Sequence, residues 1–177
     1  MVLKAYRELI SQLVLYENHI LRLYGDSIAC KAGCSGCCIL TSVNAIEAFV
    51  IQNAIKGLSS GAKKVLISRL QHKKGKYCDL LIDNRCSVYK NRPVICRTHG
   101  YPLLSFEAAF YCEKNFIDSK PPSAASLLSI DKLNTALAAI CVQFQRERGL
   151  KINSRRIAIR SIIKNSLAIK QRQNDSD

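Results

Sequence analysis

Four cysteines fall within nine residues, Cys30-Lys-Ala-Gly-Cys34-Ser-Gly-Cys37-Cys38, and no other feature restricts the fold as sharply. A segment this rich in thiol and glycine brings few apolar side chains to a core, while Gly33 and Gly36 let its backbone turn tightly. Soft thiolates at short spacing let one turn of chain present several ligands to tetrahedral zinc or to an iron–sulfur cluster. Eight of the nine cysteines lie between Cys30 and Cys112, and Cys78, Cys86, Cys96 and Cys112 supply the second half of this set. We read Cys34, Cys37, Cys38, Cys86 and Cys96 as the principal metal ligands, with Cys30, Cys78 and Cys112 next. Adjacent side chains point to opposite sides of an extended chain and lie about 100° apart on a helix. The Cys37-Cys38 pair therefore favours two sites, or one site beside a reactive thiol. Cys141 falls on an apolar helical stripe and reads as core packing.

The chain has 177 residues and is 48% hydrophobic, enough for one domain whose core needs no disulfides. No apolar run approaches the roughly 18 to 20 residues that cross a bilayer. Lys4, Arg7 and Glu8 interrupt the stretch where a signal peptide is apolar. The expectation is a cytoplasmic protein, in a reducing compartment where clustered thiols persist as ligands. The formal net charge is +14, from 27 Lys and Arg against 13 Asp and Glu. Residues 56–76 hold seven basic residues and no acid, and residues 146–172 hold nine against Glu147 alone. Such a field attracts nucleic acid, anionic lipid or an acidic protein, with Lys63, Lys64, Lys73, Lys74 and the basic C-terminal segment as contacts. Solvated helix faces account for the same pattern, and a four-thiolate site of charge about −2 would balance part of the excess.

Leu3, Tyr6, Leu9, Ile10, Leu13, Tyr16, Ile20 and Tyr24 recur at helical steps, and Gly25-Asp26-Ser27 supplies a stop. A second helix is predicted from Ser42 or Asn44 to Lys56, with Glu47 completing a capping box. A third, over residues 60–74, has a thin apolar face of Val65, Leu66 and Leu70. Residues 77–102 read as an irregular stretch held by ligands, with a short strand at 78–82, a turn at Asp83-Asn84 and Pro93 opening a helical turn. A further helix starts near Ser123 or Ser129 and ends at Arg148, with Leu133, Leu137, Ile140, Cys141 and Phe144 in one stripe and Gly149 closing it. Beyond Asn153, the isoleucines 157, 159, 162, 163 and 169 and Leu167 do not share one helical face. This segment reads as a basic helix of unspecified docking followed by a frayed tail from Gln171.

Arginines accompany the cysteines. Arg85, Arg92 and Arg97 stay charged and can donate to sulfur, so Arg92 and Arg97 are expected as outer neighbours of the metal ligands. Tyr77, Tyr89, Tyr101 and Tyr111 are expected to shield the site from water, and His99 reads as a loop histidine. No Ser-His-Asp set, paired carboxylates or phosphate-binding glycine loop occurs.

The cysteine-rich start ending in Cys37-Cys38, followed by Cys78-x7-Cys86-Ser-Val-Tyr89 and Arg92-Pro93-x-x-Cys96-Arg97, resembles the CxxCxxCC cysteine-cluster family, the YkgJ-like zinc- or iron-chelating domain. The resemblance spans about residues 28–115 and implies metal or iron–sulfur binding in a cytoplasmic protein. The first gap here holds three residues, from Cys30 to Cys34, where the family name has two, and Asp79 follows Cys78 where proline is common. One branch of the family is similar to flagellin lysine N-methylases, which implies S-adenosylmethionine as a further cofactor and protein methyl transfer as an activity. The spacing Cys30-x3-Cys34-x2-Cys37 also coincides with the cluster motif of radical S-adenosylmethionine enzymes. The mainly helical pattern and Gly36 before the last cysteine count against that reading.

Together these readings give a mostly α fold, a small helical domain with irregular cysteine-rich loops organised by bound metal. Residues 1–150 form a single metal-binding domain, and residues 151–177 a basic C-terminal extension. The favoured function is a metal-binding protein carrying a 4Fe-4S cluster, for electron transfer or cluster-assisted protein modification. The alternative is a non-enzymatic zinc module that binds nucleic acid or a protein partner.

Overall fold

Apolar side chains three and four positions apart generate the longest helix, α1 (Val2–Tyr24), which buries Val2, Tyr6, Leu13 and Ile20 on one face. The computed structural model describes residues 1–30, 33–72, 75–117 and 119–168. After α1 come β1 (Ser42–Val43), α2 (Ala45–Lys56), α3 (Ser60–Gln71), β2 (Leu81–Ile82), β3 (Arg85–Cys86), α4 (Val94–Thr98), β4 (Leu103–Ser105) and β5 (Ala108–Phe110). The remaining elements are β6 (Leu128–Ser129), α5 (Ile130–Glu147), β7 (Ile157–Ala158) and α6 (Ile159–Ser166). The fold is mostly α, with six α-helices and only short strands among the described residues.

Contacts divide the chain into two compact units. The first comprises Met1–Cys34 and Pro93–Ser154, the second Ser35–Arg92 and Arg155–Asp177. In the first unit α1 packs on α5 through Leu13, Val94, Ile130 and Leu133, with Leu9, Ile10 and Leu137 at the margin. Ser129 caps α5 by accepting from the Lys132 amide, one of the two starts expected from sequence. Gly149 closes its end at φ +62°, a conformation that glycine adopts freely. The other end of α1 joins a second apolar cluster, in which Ile20, Ile28 and Phe116 are buried against Tyr16, Tyr24, Tyr101 and Tyr111. In the same unit β4 pairs antiparallel with β5 and parallel with β6. Asp131 ties the β4–β5 turn to α5, accepting from Ser105 Oγ at 3.1 Å and the Phe106 amide at 3.2 Å. This sheet was not expected, because its strands are at most three residues long and carry no sustained alternation.

In the second unit the capping box of α2 is present as expected, with Asn44 accepting from the Glu47 amide and Glu47 reaching back to the Asn44 amide. Its core joins Ile51 and Ile55 of α2, Leu66 of α3, Leu80, Val88, and Ile159, Ile162 and Ile163 of α6. Three sequence expectations change here. Helix α3 ends at Gln71, and Val65 is 42% exposed while Leu66 and Leu70 face the core. Lys73, Lys74 and the tail from Gln171 lie outside the described residues. Helix α6 is docked. Ile157 sits on β7, paired with Val43, so the helical stripe is Ile159, Ile162 and Ile163, at steps of three and four, with Leu167 packed on the same core at the helix end. Counting a strand residue into that helix blurs its face.

Candidate metal centre

The cysteines of the second unit are Cys37, Cys38, Cys78 and Cys86. Residues 35–39 run through two consecutive tight turns, with the Cys38 amide donating to Ser35 O at 2.9 Å and the Ile39 amide to Cys37 O at 2.8 Å. A backbone bond then joins the two cysteine-bearing stretches, from the Cys78 amide to Cys38 O at 2.7 Å. The Ser35 hydroxyl adds a contact to Asn84 Oδ1 at 3.1 Å, at the tip of the β2–β3 hairpin. That hairpin turns through Asp83 and Asn84 at φ +48° and +58°, the left-handed pair of a two-residue I′ turn. Its register sets Cys86 opposite Leu81. One short loop, one bend and one hairpin thus bring Cys38 and Cys86 each near Cys78.

Electrostatics supports the same grouping. Burial pushes the Cys78 thiol up to about 11, opposed by a backbone hydrogen bond from Leu80, while Cys86, Asp79 and Cys38 raise it further. Cys86 is also raised by burial, opposed by a backbone hydrogen bond from Val88 and by the charge of Arg92. Hydrogen bonds that lower a thiol pKa stabilise the anion, so in both cases the donor is the amide N–H two residues further on. Cys78-Asp-Leu80 and Cys86-Ser-Val88 therefore repeat one arrangement, a sulfur facing the second following N–H. Metal-free, these thiols keep their protons at neutral pH; a thiophilic cation displaces them and finds donors aimed at the resulting thiolates.

The first unit holds Cys30, Cys34, Cys96 and Cys112, besides Cys141 in its core. Cys30 lies against Gly100 at φ +97°, where a Cβ would stand 2.7 Å from its Sγ. The Cβ of Cys112 and Nδ2 of Asn115 are 3.6 Å and 3.7 Å from that same point. Asn115 is 2% exposed; its Oδ1 accepts from the Ala29 amide at 2.8 Å, and its Nδ2 donates to Gly100 O and, at 3.8 Å, to Cys30 Sγ. Cys96 is exposed on α4, which starts at Val94 with Pro93 as N-cap, one residue later than the expected start at Pro93. Cys34 is exposed as well.

All nine cysteines are free thiols, and Cys141 is buried at 8% exposure, as its apolar stripe foretold. Among the described residues no group of three or more His, Cys, Asp or Glu side chains comes together closely enough to hold a metal ion. The donor chemistry fits a thiophilic metal: soft sulfur, backbone N–H groups directed at two of the sulfurs, and a guanidinium beside one. The expected tyrosine shield divides. Tyr101 and Tyr111 pack with Cys30, whereas Tyr77 and Tyr89 are 44% and 57% exposed. Tyr89 instead carries the Arg92 guanidinium, 4.1 Å from its ring centre. Arg97 is buried at 6% exposure and His99 is exposed.

Two contributors escaped the sequence reading. Asn115 carries no motif that would single it out. Arg160 donates to Asp79 Oδ1 at 2.9 Å and to the carbonyls of Leu70 and His72, which pins α6 to the residue following Cys78.

The family described as "Putative zinc- or iron-chelating domain", CxxCxxCC, matches residues 29–122. The chain belongs to this family. No curated protein and no solved structure matches it. Family membership supports zinc or iron binding. No described helix is long and apolar enough to cross a membrane.

Proposed function

We propose that this CxxCxxCC protein holds an iron–sulfur cluster on cysteine thiolates, in the cytoplasm, and serves electron transfer or cluster-assisted modification of a partner protein. The observation that carries the reading is the matched pair Cys78 and Cys86, each half-buried and each facing an N–H two residues on, with Cys38 close enough to Cys78 to act on its charge. Amide N–H groups and a nearby guanidinium stabilise anionic sulfur, and such groups raise the potential of a redox cluster. A bound cluster would supply one-electron transfer. The chain's part is to orient the sulfurs through the turns at 35–39 and the hairpin, and to keep water from Cys78 and Cys86 with Leu80, Val88 and Ile82. Arg92 holds positive charge near Cys86 and is fixed there by Tyr89.

The test is a visible absorption spectrum with iron, sulfide and zinc analysis on protein purified without oxygen. A brown protein with matched iron and sulfide is expected, and it would justify assays for S-adenosylmethionine binding and methyl transfer, which rest on family resemblance alone. Colourless protein with stoichiometric zinc would overturn the cluster. It would leave a zinc module, whose basic α3 face would then be tested for salt-dependent nucleic-acid binding.

A further inference from the structure

We propose that the β2–β3 hairpin of the second unit presents a docking surface for single-stranded nucleic acid, with Tyr77 and Tyr89 as stacking platforms for bases and Lys76, Arg85 and Lys90 as contacts to phosphate. The inference goes beyond the metal-binding reading: it uses no cysteine and holds whichever metal the thiols carry. Charge is its first support. Residues 35–92 and 155–177 hold 16 Lys and Arg against five Asp and Glu, and the rest of the chain 11 against eight, so the second unit carries most of the positive excess. Little of it is neutralised at the surface. Among the described residues of that unit Glu47 is buried in its helix cap and Asp79 is paired with Arg160 at 2.9 Å, which leaves Asp83 as the one exposed carboxylate. A field of this kind draws polyanions toward the unit.

The aromatic rings decide which polyanion fits. Tyr77 lies four residues before β2 and Tyr89 three residues after β3, so both flank the open end of the hairpin. The Ser87 amide holds the two segments together there by donating to Leu80 O at 2.8 Å. The tyrosines are 44% and 57% exposed, although a tyrosine ring gains from burial. Each has a cation beside it: Lys76 Nζ stands 5.8 Å from the centre of the Tyr77 ring, and the Arg92 guanidinium 4.1 Å from that of Tyr89. An open ring next to positive charge offers a base a stacking face and its phosphate a counter-charge. Lys76, Arg85 and Lys90 are exposed along the same hairpin and its flanks. Arg160 donates to Asp79 Oδ1 and to His72 O, which anchors the chain on both sides of Lys76 and Tyr77. Unpaired bases stack on such rings whatever their sequence. A duplex keeps its bases stacked inside, and the carboxylates of an acidic protein or the headgroups of a lipid surface present no comparable plane.

The experiment measures binding of the full chain to a labelled oligothymidylate of about 15 nucleotides by fluorescence anisotropy, at about 50 mM and about 200 mM salt. A blunt duplex of the same length, polyglutamate and phosphatidylserine vesicles are run beside it. The single strand should bind more tightly than the duplex, and its affinity should fall as salt rises. Y77A/Y89A should lose about tenfold or more in affinity with an unchanged far-UV circular dichroism spectrum, while Y77F/Y89F, which keeps both rings, should bind as wild type does. K76E/R85E should also lose about tenfold or more at low salt, and it carries the test where the alanine variant fails to fold. Absence of binding at the lower salt, duplex binding as tight as that of the single strand, or full affinity in Y77A/Y89A would overturn the proposal. Tighter binding to polyglutamate or to the vesicles would assign the surface to an acidic protein or a membrane, and would overturn it as well. Failure here leaves the metal-binding reading standing, because that reading is decided by metal content alone.

Discussion

The two cysteine-bearing regions hold their sulfurs by different means. In the second unit, Cys78 and Cys86 are served by amides two residues further along the chain, and a hairpin with an I′ turn brings them together. In the first unit, Cys30 and Cys112 meet around a glycine some seventy residues from one of them and twelve from the other, with the carboxamide of Asn115 as clamp. Local devices tolerate change nearby because each turn is stabilised by its own residues. A seat assembled from distant segments fails when any one contributor is altered.

The sharpest way to break this contrast is Gly100→Ala. A methyl group at φ +97° meets Cys30 Sγ at 2.7 Å. Left-handed strain and overpacking together should lower stability by about 3 kcal/mol in urea unfolding. A loss under 1 kcal/mol would show that the seat is loose. Next comes Arg160→Ala, which asks whether the Cys78 bend also leans on a distant residue. Removing the ion pair to Asp79 and two bonds to carbonyls should cost about 2 kcal/mol, and an unchanged denaturation midpoint would make the bend self-sufficient.

A smaller effect is expected at Tyr16 in the first unit, which donates to Pro102 O and Ser126 O. Tyr16→Phe should cost about 1 kcal/mol at neutral pH. Burial pushes the Tyr16 phenol well above its ordinary range, so the fold favours the neutral form. Its contribution is whole below the unfolded value of about 10 and is lost as pH rises beyond it. Stability of Tyr16→Phe should therefore decline less than wild type above that pH, and parallel curves would count against the assignment. The smallest change is expected for Gly36→Ala, since nothing lies within 4 Å of a Cβ there and φ is not left-handed. A shift of no more than about 0.5 kcal/mol is expected, in deliberate contrast with Gly100.

Sequence reasoning reached most of the helices, because periodicity and caps are local signals, and cysteine spacing pointed to the zinc- or iron-chelating family for the same reason. Asn44 with Glu47, Ser129 and Gly149 each mark a helix end where the structure has one. The β2–β3 turn was legible for the same reason, since Asp83-Asn84 is short-range turn chemistry. What escaped depends on partners far along the chain: Asn115 acting on Cys30, Arg160 acting on Asp79, and the β4–β6 pairing. Helix α6 was obscured by a different cause, a strand residue adjoining a short helix.

The claim that thiolates of this chain bind metal is tested most directly by titrating the reduced, metal-free protein with Co²⁺ and following absorption. Thiolate coordination predicts an intense sulfur-to-cobalt band that grows to saturation and disappears when zinc displaces the cobalt. A titration that yields only the weak spectrum of aqueous Co²⁺ would contradict it.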